Sequence, residues 1–78
     1  MDYYIFLYME IKERIKELRK GNNLLQKDLA RLLNVRNTTV SAWENGDNEP
    51  DIKTIKQLAI FFNVTADYLI GLENDDGT

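Results

Sequence analysis

The 78-residue chain sets ten Lys and Arg against thirteen Asp and Glu, a net charge of -3 with a pI near 4.8, and contains neither Cys nor His. A chain this short fits one small domain with a modest core, and without Cys it has no disulfide framework and no thiolate metal site. The missing His, together with the lack of a Gly-rich phosphate loop or paired-carboxylate spacing, argues against catalysis and gives no site for a cofactor or metal.

Residues 3–8, Tyr-Tyr-Ile-Phe-Leu-Tyr, form an aromatic and apolar extension that is too short for a membrane span and lacks the basic start of a signal peptide. Three readings stand: an extension of the first helix, a strand paired across a dimer, or sequence upstream of a start at Met9. From Met9 the pattern turns helical, with Ile11, Ile15 and Leu18 at i, i+4 and i+7, until Gly21 and Asn22-Asn23 stop it. Leu24 belongs to the core. Gln26 opens a second helix, on which Leu29, Ala30 and Leu33 make an apolar stripe. Asn34 tolerates the left-handed conformation that ends a helix, and Val35 turns under the corner. A third helix follows, buried through Val40 and Trp43.

The stretch Gly46-Asp47-Asn48-Glu49-Pro50 is a loop by composition. Asp51 caps a fourth helix whose buried stripe is Ile52, Ile55, Leu58, Ala59 and Phe62, and Asn63 ends it. Thr65 caps a short fifth helix, with Asp67 near the positive end of its dipole and with Tyr68, Leu69 and Ile70 turned inward or onto a partner. Gly71 closes that helix. The expected organisation is an extension at 1–8, an all-α domain at 9–72 and an acidic, frayed tail at 73–78.

Charge is unevenly distributed. Residues 11–40 hold eight basic residues and three acids, a local balance of +5, while the remainder holds two against ten. A basic half fits an approach to phosphates, although solvated helix charges balanced at i, i+4 would read similarly. In that half the third helix presents Asn37, Thr38, Ser41 and Asn45, with Thr39 beside them. These are short hydrogen-bonding side chains suited to base edges in a DNA major groove. Any one alone reads as a solvated helix face. Joined to the turn, they point to a reading head.

Leu24, Gln26, Leu29-Ala30, Val35, Val40, Trp43-Glu44-Asn45-Gly46 and Pro50, at this spacing, give residues 11–72 a resemblance to the Cro/repressor class of helix-turn-helix domains, the XRE family. The resemblance implies a compact, lambda-repressor-like bundle of five short helices with the helix-turn-helix formed by helices 2 and 3. It implies a cytoplasmic transcriptional regulator, a repressor, that binds double-stranded DNA as a homodimer on a two-fold symmetric operator. Gln26 would anchor near a phosphate and support the first turn of the recognition helix. Asn37, Thr38 and Ala42 occupy slots where relatives read bases, and Asn45 with its loop would meet the DNA backbone, aided by Lys27 and Arg36. Arg19 and Glu44 would form a largely buried ion pair joining helices 1 and 3. Two positions depart from the family pattern: Leu25 and Arg36 stand where Ser or Thr caps are usual, leaving Asn37 to cap the third helix or Arg36 to reach a phosphate. Self-association would use the fifth helix and residues 3–8. The alternative reading is an antitoxin or phage-type regulator whose main role is binding another protein, for which the acidic far side and the apolar extension speak.

Overall fold

A computed structural model describes residues 10–73, and all regular structure in them is helical. Five helices follow one another: α1 (Ile11–Gly21), α2 (Gln26–Leu33), α3 (Asn37–Asn45), α4 (Ile52–Phe62) and α5 (Ala66–Leu69). The expectations for residues 1–8 and for the tail beyond Glu73 lie outside the described residues.

Each helix is punctuated by its local sequence. The backbone N–H of Glu10 donates to the Glu13 carboxylate at 2.9 Å, and that of Leu25 to Asp28 at 2.8 Å. Acids in the first turns of α1 and α2 thus reach back and satisfy an N–H that would otherwise be orphaned. Leu25 itself supplies no side-chain cap, as expected, yet the end of α2 is served from Asp28. Asp51 accepts from Thr54 N at 2.9 Å and Thr65 from Tyr68 N at 3.0 Å, so both predicted caps form. Asn37 does not cap α3. The cap is Arg36, which is extended (φ -77, ψ 150) and makes no side-chain capping bond, and whose carbonyl accepts from Thr39 and Val40 N–H groups. Asn37 is therefore already the first helical residue.

Two helices end alike. Asn34 (φ 58) and Asn63 (φ 56) are left-handed, and the next residue, a valine in both cases, donates its N–H to the carbonyl five positions back. Val35 N meets Ala30 O at 2.9 Å and Val64 N meets Ala59 O at 3.0 Å. This Schellman geometry suits Asn, whose short polar side chain tolerates positive φ. After α1 the left-handed residue is Asn23 (φ 58), whereas Gly21 is still helical.

The core is Ile15, Leu29, Ala30, Leu33, Val40, Trp43, Leu58 and Leu69, with Ile11, Leu18, Val35, Ile55 and Phe62 packed against it. One member of the expected stripe on α4 is absent. Ile52 is 71% exposed, because it stands in the first turn, at the margin of the arc centred on Ile55, Leu58, Ala59 and Phe62. Leu24 is half-buried, not fully inside. On α5 only Leu69 is fully buried; Tyr68 is half-buried and Ile70 is 40% exposed.

Arg14 is one of the eight basic residues of the 11–40 stretch. It is buried, its guanidinium 3.9 Å above the Tyr68 ring centroid and its Nη2 donating to the Glu73 carbonyl at 3.0 Å. Glu73 in turn accepts from the Thr65 hydroxyl. This cation-π contact and its hydrogen bonds tie α1 to α5 and to the residues after it.

Candidate nucleic-acid interface

Helix α3 divides cleanly by periodicity. At 100° per residue, Asn37, Thr38, Ser41, Ala42 and Asn45 occupy one arc, and Val40, Trp43 and Glu44 the other. Accessibility follows the arcs: Val40, Trp43 and Glu44 are buried, Asn37, Thr38 and Asn45 exposed, and Ser41 and Ala42 intermediate. Thr39 is half-buried at the boundary beside Trp43. Along the outer arc Asn45 Nδ2 lies 3.4 Å from Ser41 Oγ, a long contact that leaves both groups able to pair elsewhere.

The inner arc is fixed at its last turn. Arg19 of α1 donates through Nε to Glu44 Oε2 at 2.6 Å and through Nη2 to Oε1 at 3.0 Å, a bidentate pair between residues only 7% and 8% exposed. The remaining guanidinium nitrogen, Nη1, donates to the Leu24 carbonyl at 2.7 Å. Gln26 of α2 donates to Glu44 Oε1 at 3.1 Å. Its partner on α3 is thus in the last turn, not the first, because Glu44 is the acceptor that the packing of α2 brings within reach. Gly46 then ends α3 at φ 82, with its N–H bonded to Trp43 O. A Cβ there would stand 3.0 Å from Lys12 Cδ, so the Lys12 stem lies against the turn and its ammonium lies near the negative end of the α3 dipole.

The cations are distributed accordingly. Arg14 and Arg19 are engaged inside, while Lys16, Lys20, Lys27, Arg31 and Arg36 are exposed. Lys27 and Arg31 are neighbours at i, i+4 on α2 and form one basic ridge. Arg31 is absent from the set of binding residues chosen by sequence, although its spacing from Lys27 was there to be seen. Arg36 stands at the start of α3, beside N–H groups that no side chain caps. Geometry therefore brings Asn37, Thr38, Ser41, Ala42 and Asn45 onto one surface, keeps Lys27 and Arg36 exposed, and draws Gln26 into the scaffold.

A family model described as helix-turn-helix matches residues 15–69. The chain is 42% identical over 65 residues to the HTH-type transcriptional activator BcrR of Enterococcus faecalis, covering 83% of this chain and 32% of that protein. With the HTH-type transcriptional regulator ImmR of Bacillus subtilis (strain 168) it shares 36% over 63 residues, 81% of this chain and 50% of the relative. It thus spans half or less of the length of these two proteins. The uncharacterized HTH-type transcriptional regulator MJ0272 of Methanocaldococcus jannaschii is 35% identical over 66 residues, which are 85% of this chain and 100% of that protein. Among solved structures, the P22 c2 repressor in complex with a synthetic operator superposes with a TM-score of 0.77 at 28% identity, covering 83% of this chain and 98% of that one.

Proposed function

The chain belongs to the helix-turn-helix family of DNA-binding transcriptional regulators, the Cro/repressor class, and on that premise we propose that α3 reads an operator in the duplex major groove. The observation that carries this reading is the outer arc of α3: a row of short hydrogen-bonding side chains that the core does not use, on a helix whose inner arc is locked to α1 and α2. Asn37 and Thr38 read bases, Ser41 and Asn45 extend the row, and Ala42 offers a methyl contact, as to thymine. Thr39, at the boundary, faces the groove wall. Lys27, Arg31 and Arg36 hold phosphates, Arg36 together with the open N–H groups at the α3 start. Gln26 acts by orienting Glu44, and so the helix.

The active form is a cytoplasmic homodimer on a two-fold symmetric site, with half-sites about 34 to 36 Å apart. Ile60 and Leu72, 80% and 66% exposed near the α4–α5 end, supply the apolar surface for pairing. Occlusion of a promoter makes such a dimer a repressor. Selection from random duplexes at fixed salt, followed by a salt titration on the selected sequence, tests the proposal. Three phosphate-binding cations per subunit, six per dimer, give a log-log slope of about -5. Failure to enrich a two-fold sequence, or affinity independent of salt, overturns it.

A further inference from the structure

On the premise of the two-fold dimer proposed above, we infer that Arg14 is a positioning residue for DNA binding: by holding α5 and the turn after it to α1, it sets where the pairing surface stands relative to the reading helix. Helix α5 is a single turn, Ala66–Leu69, too short to keep a direction of its own. A closed circuit of contacts imposes one. The Tyr68 N–H donates to Thr65 Oγ1, the Thr65 hydroxyl donates to the Glu73 carboxylate, the Glu73 carbonyl accepts from Arg14 Nη2, and the Arg14 guanidinium lies over the Tyr68 ring. Ile70 and Leu72, both exposed, occupy the stretch between Tyr68 and Glu73. Within it the Gly71 N–H meets Tyr68 O at 3.2 Å and the Leu72 N–H meets Asp67 O at 2.8 Å, which makes the turn a stiff extension of α5. Where Arg14 fixes Tyr68 and Glu73, it fixes Leu72.

The same helix holds the reading head. Arg19, five residues and about 7.5 Å further along α1, makes the bidentate bond to Glu44 of α3. Both arginines are buried and bridge to another element, whereas Lys16 and Lys20 of α1 are exposed. Helix α1 is thus a strut, joined to the pairing surface through Arg14 and to α3 through Arg19. Two subunits on one duplex gain about 10²- to 10⁴-fold over one only while their linkage lets both reading helices engage together, and that gain is lost when the geometry forbids it. The two-fold axis applies any error in the strut twice. Exposed cations such as Lys27 act on every half-site; buried Arg14 acts on the relation between half-sites.

Full-length chains carrying Arg14→Met, Arg14→Lys or Tyr68→Leu are titrated on three duplexes obtained by selection from random DNA: the two-fold site, one half-site alone, and the two-fold site with two base pairs inserted at its centre. The parent should favour the two-fold site over the other two by about a hundredfold or more. Arg14→Met and Tyr68→Leu should keep the half-site affinity, lose about tenfold on the two-fold site and narrow its lead over the inserted duplex. Arg14→Lys keeps a cation for the ring but not the planar fork, and should fall between. If circular dichroism shows Arg14→Met unfolded, the other two variants carry the test. Equal loss on the half-site and the two-fold site, or an undiminished preference for the original spacing, would overturn the inference while the dimer stands. A parent that binds the two-fold site no tighter than its half would overturn the dimer, and the inference with it.

Discussion

Removing Glu44 tests the scaffold of the site most directly. In the folded chain this carboxylate accepts two hydrogen bonds from Arg19 and one from Gln26, and its side chain is 2% exposed against 9% for Arg19. Glu44→Ala leaves the guanidinium charge inside with the Leu24 carbonyl as its remaining acceptor among these groups, and leaves the Gln26 amide without its acceptor. Stranding one member of a buried pair costs roughly 3 to 5 kcal/mol. A domain of this size has a total stability on the order of 4 to 12 kcal/mol, so the loss is a large fraction of it. Thermal unfolding followed by circular dichroism should show Tm lowered by at least about 12 °C, at about 4 °C per kcal/mol. The pair as a whole is less valuable than either partner's loss suggests, because desolvating both charges offsets much of their attraction. Arg19→Met with Glu44→Leu should therefore be more stable than the sum of the single losses indicates, by a coupling of about 1 kcal/mol or more. Single variants within about 0.5 kcal/mol of the parent, or losses that simply add, would refute the reasoning.

Asn37→Ala should weaken the selected operator by roughly 1 to 3 kcal/mol per affected contact and leave random DNA nearly unchanged, whereas Lys27→Ala should weaken both and flatten the salt slope by about one unit; equal effects of Asn37→Ala on both duplexes would remove it from the reading set. Gly46→Ala should cost about 1 to 2 kcal/mol from its positive φ alone, and adding Lys12→Ala should recover only the steric remainder in chemical denaturation. Hydrogen bonds from the Thr54 hydroxyl and N–H hold the Asp51 carboxyl below its ordinary value, so its contribution to stability is complete above pH about 3.9 and is lost as pH falls through the lower folded value; Asp51→Asn, still a good cap, should show a shallower loss of stability on acid titration. Ile60→Asp with Leu72→Asp should shift sedimentation toward monomer, and an unchanged association constant would exclude that surface from the dimer.

What the sequence disclosed follows the range of the interactions involved. Asn34 and Asn63 at helix ends, Asp51 and Thr65 as caps, and the stripes Leu29-Ala30-Leu33 and Val40-Trp43 all depend on residues within one or two turns, and they were legible. Ile52 was misread because periodicity gives the direction a side chain takes but not how far the neighbouring helix extends to cover it. The burial of Arg14 was not legible because its partners, Tyr68 and Glu73, are more than fifty residues away, and no spacing rule links them. On α3 the error was one residue: Arg36 takes the extended conformation of a cap without a capping side chain, so Asn37, chemically the better cap, falls inside the helix. The pairing of Arg19 with Glu44 came from family resemblance, since nothing in the local sequence distinguishes these two charges from solvated ones.

The anchors of α3 are asymmetric. Its last turn is gripped from two helices, by Arg19 and Gln26 through Glu44, and Gly46 lets the chain turn away against the Lys12 stem. Its first turn carries no capping side chain, and Arg36, Asn37 and Thr38 there are all exposed. A short helix held in this way has its axis set at the C-terminal end while its N-terminal end projects with backbone donors and polar side chains unspent. Precision in the presented end then comes from rigidity at the other, because Val40 and Trp43 leave the helix no room to roll in the core. The scaffold contacts of Arg19 and Gln26 thereby determine where Asn37 and Thr38 stand.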